Sequence, residues 1–222
     1  MPTERNDGPP QSGVFVAFEG GEGAGKTTQI ARLAARLRAA GRAVVTTREP
    51  GGTAAGVAIR ALLLDPASDG LSARAEALLY AADRAEHVQA VVRPALERGE
   101  VVVSDRFVDS SLAYQGAGRT LDLDDVALLS RWATGDLVPD LTVVLDVDPA
   151  VGLARLDGAD RLEAESLDFH RRVRAGFLSL AAREPSRYLV IDATAPADEI
   201  EREVVDRVHA VLETRAADPV TP

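Results

Sequence analysis

Hydrophobic positions along the chain follow two alternating rhythms. Short, nearly unbroken apolar runs occur at Val14–Phe18, Ala43–Thr47, Val101–Ser104, Leu141–Asp146 and Tyr188–Asp192. Runs of four to six residues rich in β-branched side chains predict strands buried on both faces. Between them, apolar residues recur every three or four positions, the spacing of an amphipathic helix. This spacing predicts helices over 28–40, 53–64, 72–90, 121–133, 149–156, 163–182 and 197–212. In the third of these, Leu78, Leu79 and Ala82 are the expected core face, with Tyr80, Asp83, Arg84 and His87 on another side. In the helix over 121–133, Leu128 and Leu129 are expected inside and Trp132 at a packing surface. Pro94 either begins or interrupts a further helical segment ending at Gly99. Strands alternating with helices predict an α/β protein: one five-stranded parallel sheet with helices on both faces.

A length of 222 residues suits one large α/β domain, predicted over 14–213. The polar, Pro/Gly-bearing ends, 1–13 and 214–222, read as disordered tails. The first of them lacks the apolar core of a secretory signal, and no run is long enough to span a bilayer. The cytoplasm and no membrane association are therefore expected. A formal net charge of −10 argues against a nucleic-acid polymer as partner, which needs a basic face. It leaves nucleotides open, because a few local arginines suffice for those. The chain has no cysteine, which removes disulfides, thiolate metal sites and cysteine nucleophiles.

The chemistry concentrates first at Gly20-Gly21-Glu22-Gly23-Ala24-Gly25-Lys26-Thr27-Thr28, which fits the phosphate-loop pattern G-x-x-x-x-G-K-[ST]. Glycines let the backbone turn tightly and aim several N–H groups inward, and the following helix adds its positive end. Lys26 is placed to reach the β/γ-phosphates of a nucleoside triphosphate and Thr27 to hold Mg²⁺. A predicted strand before the loop and a helix after it supply the context the pattern requires.

Other polar residues gather at strand ends. Arg48 precedes Glu49-Pro50-Gly51-Gly52-Thr53, at the edge where open α/β sheets bind ligands, although a plain turn also explains Pro-Gly-Gly. Asp105 ends a strand, where it suits a second acidic element near Mg²⁺ or a helix N-cap, and Arg106 beside it suits a phosphate. Tyr80 and Arg84, four apart on one helix face, form either a solvated stripe or a base-binding pair. Ser110, Ser111, Tyr114 and Gln115 suit a turn and cap, or sugar and base recognition. His87 has no triad partners around it in the sequence. A second set of ligand-type residues opposite a triphosphate site suggests phosphoryl transfer between two bound molecules. No N-K-x-D element of a GTPase switch is present.

Across Val14 to Leu212 the sequence resembles the bacterial thymidylate kinase (dTMP kinase) family. Four segments carry the resemblance: Glu19–Thr28, Thr47–Thr53, Leu79–Arg84, and Asp105–Phe107 with Ser110–Gly116. It implies the P-loop nucleoside monophosphate kinase fold, ATP and dTMP as substrates, dTDP and ADP as products, Mg²⁺, and a homodimer. Lys26 then serves the transferring phosphoryl group, with ATP held by Gly20 to Thr28 and the metal by Thr27 and Asp105. The resemblance places Glu22 near the dTMP sugar, Arg48 and Arg106 on the acceptor phosphate, Tyr80 over the base, where most relatives have Phe, and Arg84 beside it. Ser110, Ser111 and Gln115 fall on the dTMP side, and Tyr114 against the ribose 2′ position. One departure stands out. Relatives without an arginine in the phosphate loop carry an arginine-rich lid, whereas the lid segment here, about 155–163, is short and has two. Arg161 aligns with a catalytic lid arginine, while Arg155 belongs to the lid or to the preceding helix. A nucleotide-binding protein with weak catalysis is the competing expectation.

Overall fold

The computed structural model describes residues 13–68, 70–119, 121–156, 158 and 160–217. Five strands, β1 (Val14–Glu19), β2 (Val44–Arg48), β3 (Val101–Asp105), β4 (Leu141–Asp146) and β5 (Tyr188–Asp192), form one parallel sheet in the order β2-β3-β1-β4-β5. The five expected strands are all present, within a residue at each end.

Residues alternate across the central strand β1, which is buried on both faces. Val14, Val16 and Phe18 pack with Leu33 and Leu37 of α1 (Lys26–Ala39) and with Val204 and Val208 of α9 (Ala197–Ala217). Phe15 and Ala17 face the other way, onto Val88, Val92, Val102 and Phe107. Burying one such Phe contributes about 2–3 kcal/mol.

The remaining helices are α2 (Ala54–Leu64), α3 (Ala73–His87), α4 (Arg93–Glu97), α5 (Val108–Ser111), α6 (Leu123–Thr134), α7 (Pro149–Leu153) and α8 (Leu167–Arg183). α3 runs through a π-helical stretch, Val88–Val92, directly into α4, so Pro94 sits at the start of a helical turn rather than at a break. Side-chain caps set several helix starts: Thr53 for α2, Ser72 for α3, Asp122 for α6, Asp148 for α7 and Ser166 for α8. The Ser166 cap delays α8 by four residues relative to the expected start at Glu163.

Three expectations are corrected. α9 continues through Thr214–Ala217, four residues past the expected domain end; residues 1–12 and 218–222 of the expected tails lie outside the described residues. α3 buries its polar side, with Glu76, Tyr80, Asp83, Arg84 and His87 inside and Leu78 57% exposed. Glu76, Asp83, Arg84 and His87 are buried because each bonds partners outside α3, among them Gln115, the Gly51 amide, Glu49 and Thr47. α6 likewise exposes Leu128 and Trp132 and buries Val126, Ser130 and Ala133.

Candidate active site

The phosphate loop leaves β1 at the middle of the sheet, between the ends of β3 and β4. Gly23 has φ +65°, and a Cβ there would lie 2.0 Å from the Gly152 carbonyl oxygen, so only glycine lets the loop rest on α7. Gly25, left-handed at φ 88°, caps α1 with no side-chain bond among the described residues, so the first amides of α1 keep their hydrogens for a ligand. Lys26 lies buried across the loop, its Nζ donating to Gly20 O at 3.1 Å and Gly21 O at 2.9 Å. Burial pushes its pKa down, as does Arg106, against Glu22 and Asp105.

Thr27 Oγ1 stands 3.5 Å from Asp105 Oδ2 at the mouth of the loop. A hydroxyl and a carboxylate together are hard oxygen donors of the kind Mg²⁺ takes, and among the described residues no cluster of three or more acidic or histidine side chains competes for a metal. Mg²⁺ fits this pair as an ion that keeps most of its waters and binds phosphate oxygens. Arg48 ends β2 in register with Asp105 and is exposed, lining the Thr27–Asp105 side of the loop and not the neighbouring cleft.

That cleft opens on the other side and is lined by Glu22, Tyr80, Arg106, Ser110, Ser111, Tyr114 and Gln115. Seven of the nine residues expected on the dTMP side therefore converge. Arg84 does not line the cleft. It lies beneath, 1% exposed, its Nε donating to Glu49 Oε2 at 2.7 Å, Nη1 to Ser111 Oγ at 3.1 Å and Nη2 to Phe107 O at 3.0 Å. Glu49 also accepts from His87 Nδ1 at 2.8 Å, and His87 Nε2 lies 2.7 Å from Thr47 Oγ1. A carboxylate only accepts, so Nδ1 carries the imidazole proton. His87 thus braces the Glu49–Gly52 loop; a Cβ on Gly52 would lie 2.5 Å from its ring.

Arg106 joins the loop to the cleft. It is held at φ 72°, and its Nη1 donates to Gly20 O at 3.2 Å and Ser110 Oγ at 3.1 Å. Its Nη2 donates to Glu22 Oε1 at 2.7 Å and Tyr114 Oη at 3.1 Å, and Tyr114 in turn donates to Glu22 Oε1 at 2.5 Å. Burial would raise the pKa of Glu22, but Arg106 and Lys26 outweigh it and hold the carboxyl at about 2.

Glu19 is the opposite case. Burial, with Asp109 nearby, pushes it up to about 8, although it accepts from Phe107 N at 2.8 Å and Ser110 N at 3.1 Å. A carboxyl with a folded pKa above its unfolded one stabilises below about pH 4.5 and loses that contribution as pH rises toward 8. Wild type is expected to lose more thermal stability between pH 5 and pH 8 than Glu19→Gln, as read by melting curves; equal losses would contradict this.

Arg161 is a correction. It is not at the phosphate loop: its Nη2 donates to Glu76 Oε2 at 2.6 Å and its Nε to Leu63 O at 2.7 Å, with the residue 8% exposed. The buried Glu76 carboxylate demands cations, and Arg161 supplies one. Of the two arginines expected in the lid, Arg155 is the one at the loop, its Nη1 donating to Gly23 O at 3.0 Å. Asp157 and Ala159 of the expected lid lie outside the described residues. Sequence reasoning missed Arg60, Asp160, Leu162 and Glu163, which also line the cleft. Arg60 was legible only as a lone cation on an otherwise apolar helix, seven residues after Thr53.

The thymidylate kinase family model matches residues 18–204. The chain is 59% identical over 195 residues to the thymidylate kinase of Deinococcus radiodurans, an alignment covering 86% of this chain and 94% of that protein. To the thymidylate kinase of Leifsonia xyli subsp. xyli it is 58% identical over 196 residues, covering 86% and 92%. To that of Clavibacter michiganensis subsp. michiganensis it is 53% identical over 210 residues, covering 93% and 99%. A phosphate loop at the centre of a parallel sheet, a polar cleft sharing its Glu22 and Arg106, and matches that span most of both chains lead to one conclusion: the chain belongs to the thymidylate kinase family, with its P-loop nucleoside monophosphate kinase fold.

Proposed function

We propose that the protein transfers the γ-phosphoryl group of ATP to dTMP, giving ADP and dTDP, in the supply of dTTP. The observation that carries this is Arg106, whose single guanidinium touches the phosphate loop at Gly20 and Glu22 and the cleft at Ser110 and Tyr114. A cation at that junction suits a phosphate passing between donor and acceptor. Gly20 to Thr28 cradle the triphosphate of ATP. Tyr80, with Pro50, Leu64 and Leu162, offers the base an apolar wall, and Ser111 and Gln115 offer it hydrogen bonds. Tyr114 is tied to Glu22 and Arg106, so its ring crowds the sugar and favours deoxyribose.

An oxygen of the dTMP phosphate attacks the γ-phosphorus; the new P–O bond forms as the bond to the β-phosphate oxygen breaks, and ADP leaves with that electron pair. The nucleophile is already an anion, so no strong base is needed. Positioning and charge neutralisation supply the acceleration. Arg106, with Arg60 from α2, holds the acceptor phosphate, while Lys26 offsets charge on the transferring group and Arg48 adds charge on the Thr27–Asp105 side. Mg²⁺, held through Thr27 and Asp105, would supply further neutralisation of the phosphate oxygens.

Arg155 takes the lid-arginine role in this reading. Arg155→Ala is expected to lower kcat about tenfold or more with little change in the KM for dTMP, a loss confined to the transition state. An unchanged kcat would remove it from that role.

Exposed Leu78 on α3 and Leu128 and Trp132 on α6 lie on two helices packed side by side, a face suited to pairing with a second copy. We place the homodimer there, testable by sedimentation. Among the described residues no helix is long and apolar enough to cross a membrane, and a cytoplasmic enzyme acting on free nucleotides is the reading adopted. ADP formation across dTMP, UMP, CMP and AMP tests the function: dTMP should be turned over far faster, and preference for another monophosphate would overturn the acceptor assignment.

A further inference from the structure

We infer that Glu76 is a positioning residue: it fixes the side-chain amide of Gln115 with its oxygen toward the cleft, so that the site takes a base carrying a ring N–H donor. The inference rests on the reading of the cleft as the acceptor-base site. Glu76 is fully buried on α3, and its Oε1 accepts from Gln115 Nε2 at 2.9 Å. An ionised carboxylate has acceptors only, so the nitrogen end of the amide, and not the oxygen, faces it.

Glu76 is kept ionised by its surroundings. Arg119 donates to both of its oxygens at 3.2 Å and Arg161 to Oε2 at 2.6 Å. Arg119 is itself held by Glu165 and lies over the Phe169 ring. Two arginines and two glutamates thus make a closed, neutral network around the amide. Burial alone would raise the Glu76 pKa, but these bonds from Arg119, Gln115 and Arg161 bring it below the usual carboxylate value. This network also gives Arg161 a role that its position near the lid does not suggest.

The consequence is a hydrogen-bond pattern on the cleft wall. With its nitrogen engaged by Glu76, Gln115 presents an acceptor, and no described group donates to that oxygen. Ser111 Oγ accepts from Arg84 Nη1 at 3.1 Å, which leaves its hydroxyl hydrogen to be donated into the cleft it lines. An acceptor beside a donor matches the N3–H and C4 carbonyl of thymine or uracil. Cytosine presents the reverse, a bare N3 and an amino group. A rotated Gln115 amide would suit cytosine instead, and the Glu76 carboxylate forbids that rotation.

The test compares dUMP with dCMP, which differ only on this edge, by kcat/KM in wild type and Glu76→Gln. A buried site built to bond one pattern rejects the other by about 10³-fold or more. The amide introduced by Glu76→Gln can donate as well as accept, so the dUMP:dCMP ratio should fall at least about tenfold, mainly through the KM for dUMP. A merely structural residue would lower both substrates together and leave the ratio unchanged; that result overturns the role of Glu76. A wild type without preference for dUMP would overturn the base-site reading itself. Should Glu76→Gln fail to fold, the wild type still decides. The Gln115 side-chain amide protons should be protected from exchange by ¹⁵N NMR before any nucleotide is added, and rapid exchange would overturn the inference.

Discussion

Lys26→Met is expected to lower kcat/KM for phosphoryl transfer by about 10²–10³, the usual cost of removing one electrostatic contact to a reacting centre. Methionine keeps the apolar stem, so the loss reads the charge rather than the packing. Lys26 Nζ is buried over the loop and held by Gly20 O and Gly21 O, a position where low solvent access makes a charge act strongly. The effect should fall on kcat more than on the KM for dTMP, because Lys26 sits on the donor side. Steady-state kinetics with ATP and dTMP measure it, and a loss of less than about tenfold would count against the loop as the donor site.

Arg106→Leu should do more, since it breaks both structure and function. The change leaves the Glu22 side chain, 16% exposed, without its main cation, which lowers stability. It also removes bonds to Ser110 and Tyr114, so dTMP binding should become undetectable by calorimetry at concentrations that saturate the wild type. The pH dependence gives a signature. In wild type, Glu22 with a folded pKa of about 2 contributes stability above its ordinary value of 4.5 and loses it as pH falls toward 2. In the variant Lys26 and the Tyr114 hydroxyl still favour the carboxylate, but the largest share of that contribution is gone. The difference in melting temperature between the two proteins should therefore narrow as pH falls from 4.5 toward 2. A constant difference would mean that Arg106 does not hold Glu22 ionised.

Much of this site was legible in the sequence because the phosphate loop depends on local backbone chemistry. Its glycines, Lys26 and Thr27 are four fixed positions within one turn, between a strand and a helix that periodicity alone defines. The strands were legible for a similar reason, being short apolar runs; β1, β3 and β4 are buried on both faces, while the edge strands β2 and β5 are partly exposed. What was not legible depended on partners distant in sequence. The polar side of α3 reads as either a solvated stripe or a ligand face until Glu49, Gly51 and Gln115 are known to meet it; Arg84, Asp83 and Glu76 are buried because those groups bond them. Arg161 and Arg155 are six residues apart in a short segment, and nothing local tells which one turns to the loop. Leu63 and Glu76, from α2 and α3, draw Arg161 away, while Gly23 and Ala193 hold Arg155 in place. Arg60 was missed because a helical pattern alone does not show that α2 borders the cleft.

In the proposed reaction the phosphoryl group passes directly from a donor at the phosphate loop to an acceptor in the cleft, the two joined by Arg106. Rapid-quench measurement with ATP radiolabelled at the γ-phosphate, Mg²⁺ and dTMP tests it in one turnover. The label should appear in dTDP at the rate at which ADP forms. Label appearing instead in inorganic phosphate, or on the protein before it reaches dTDP, would contradict the account.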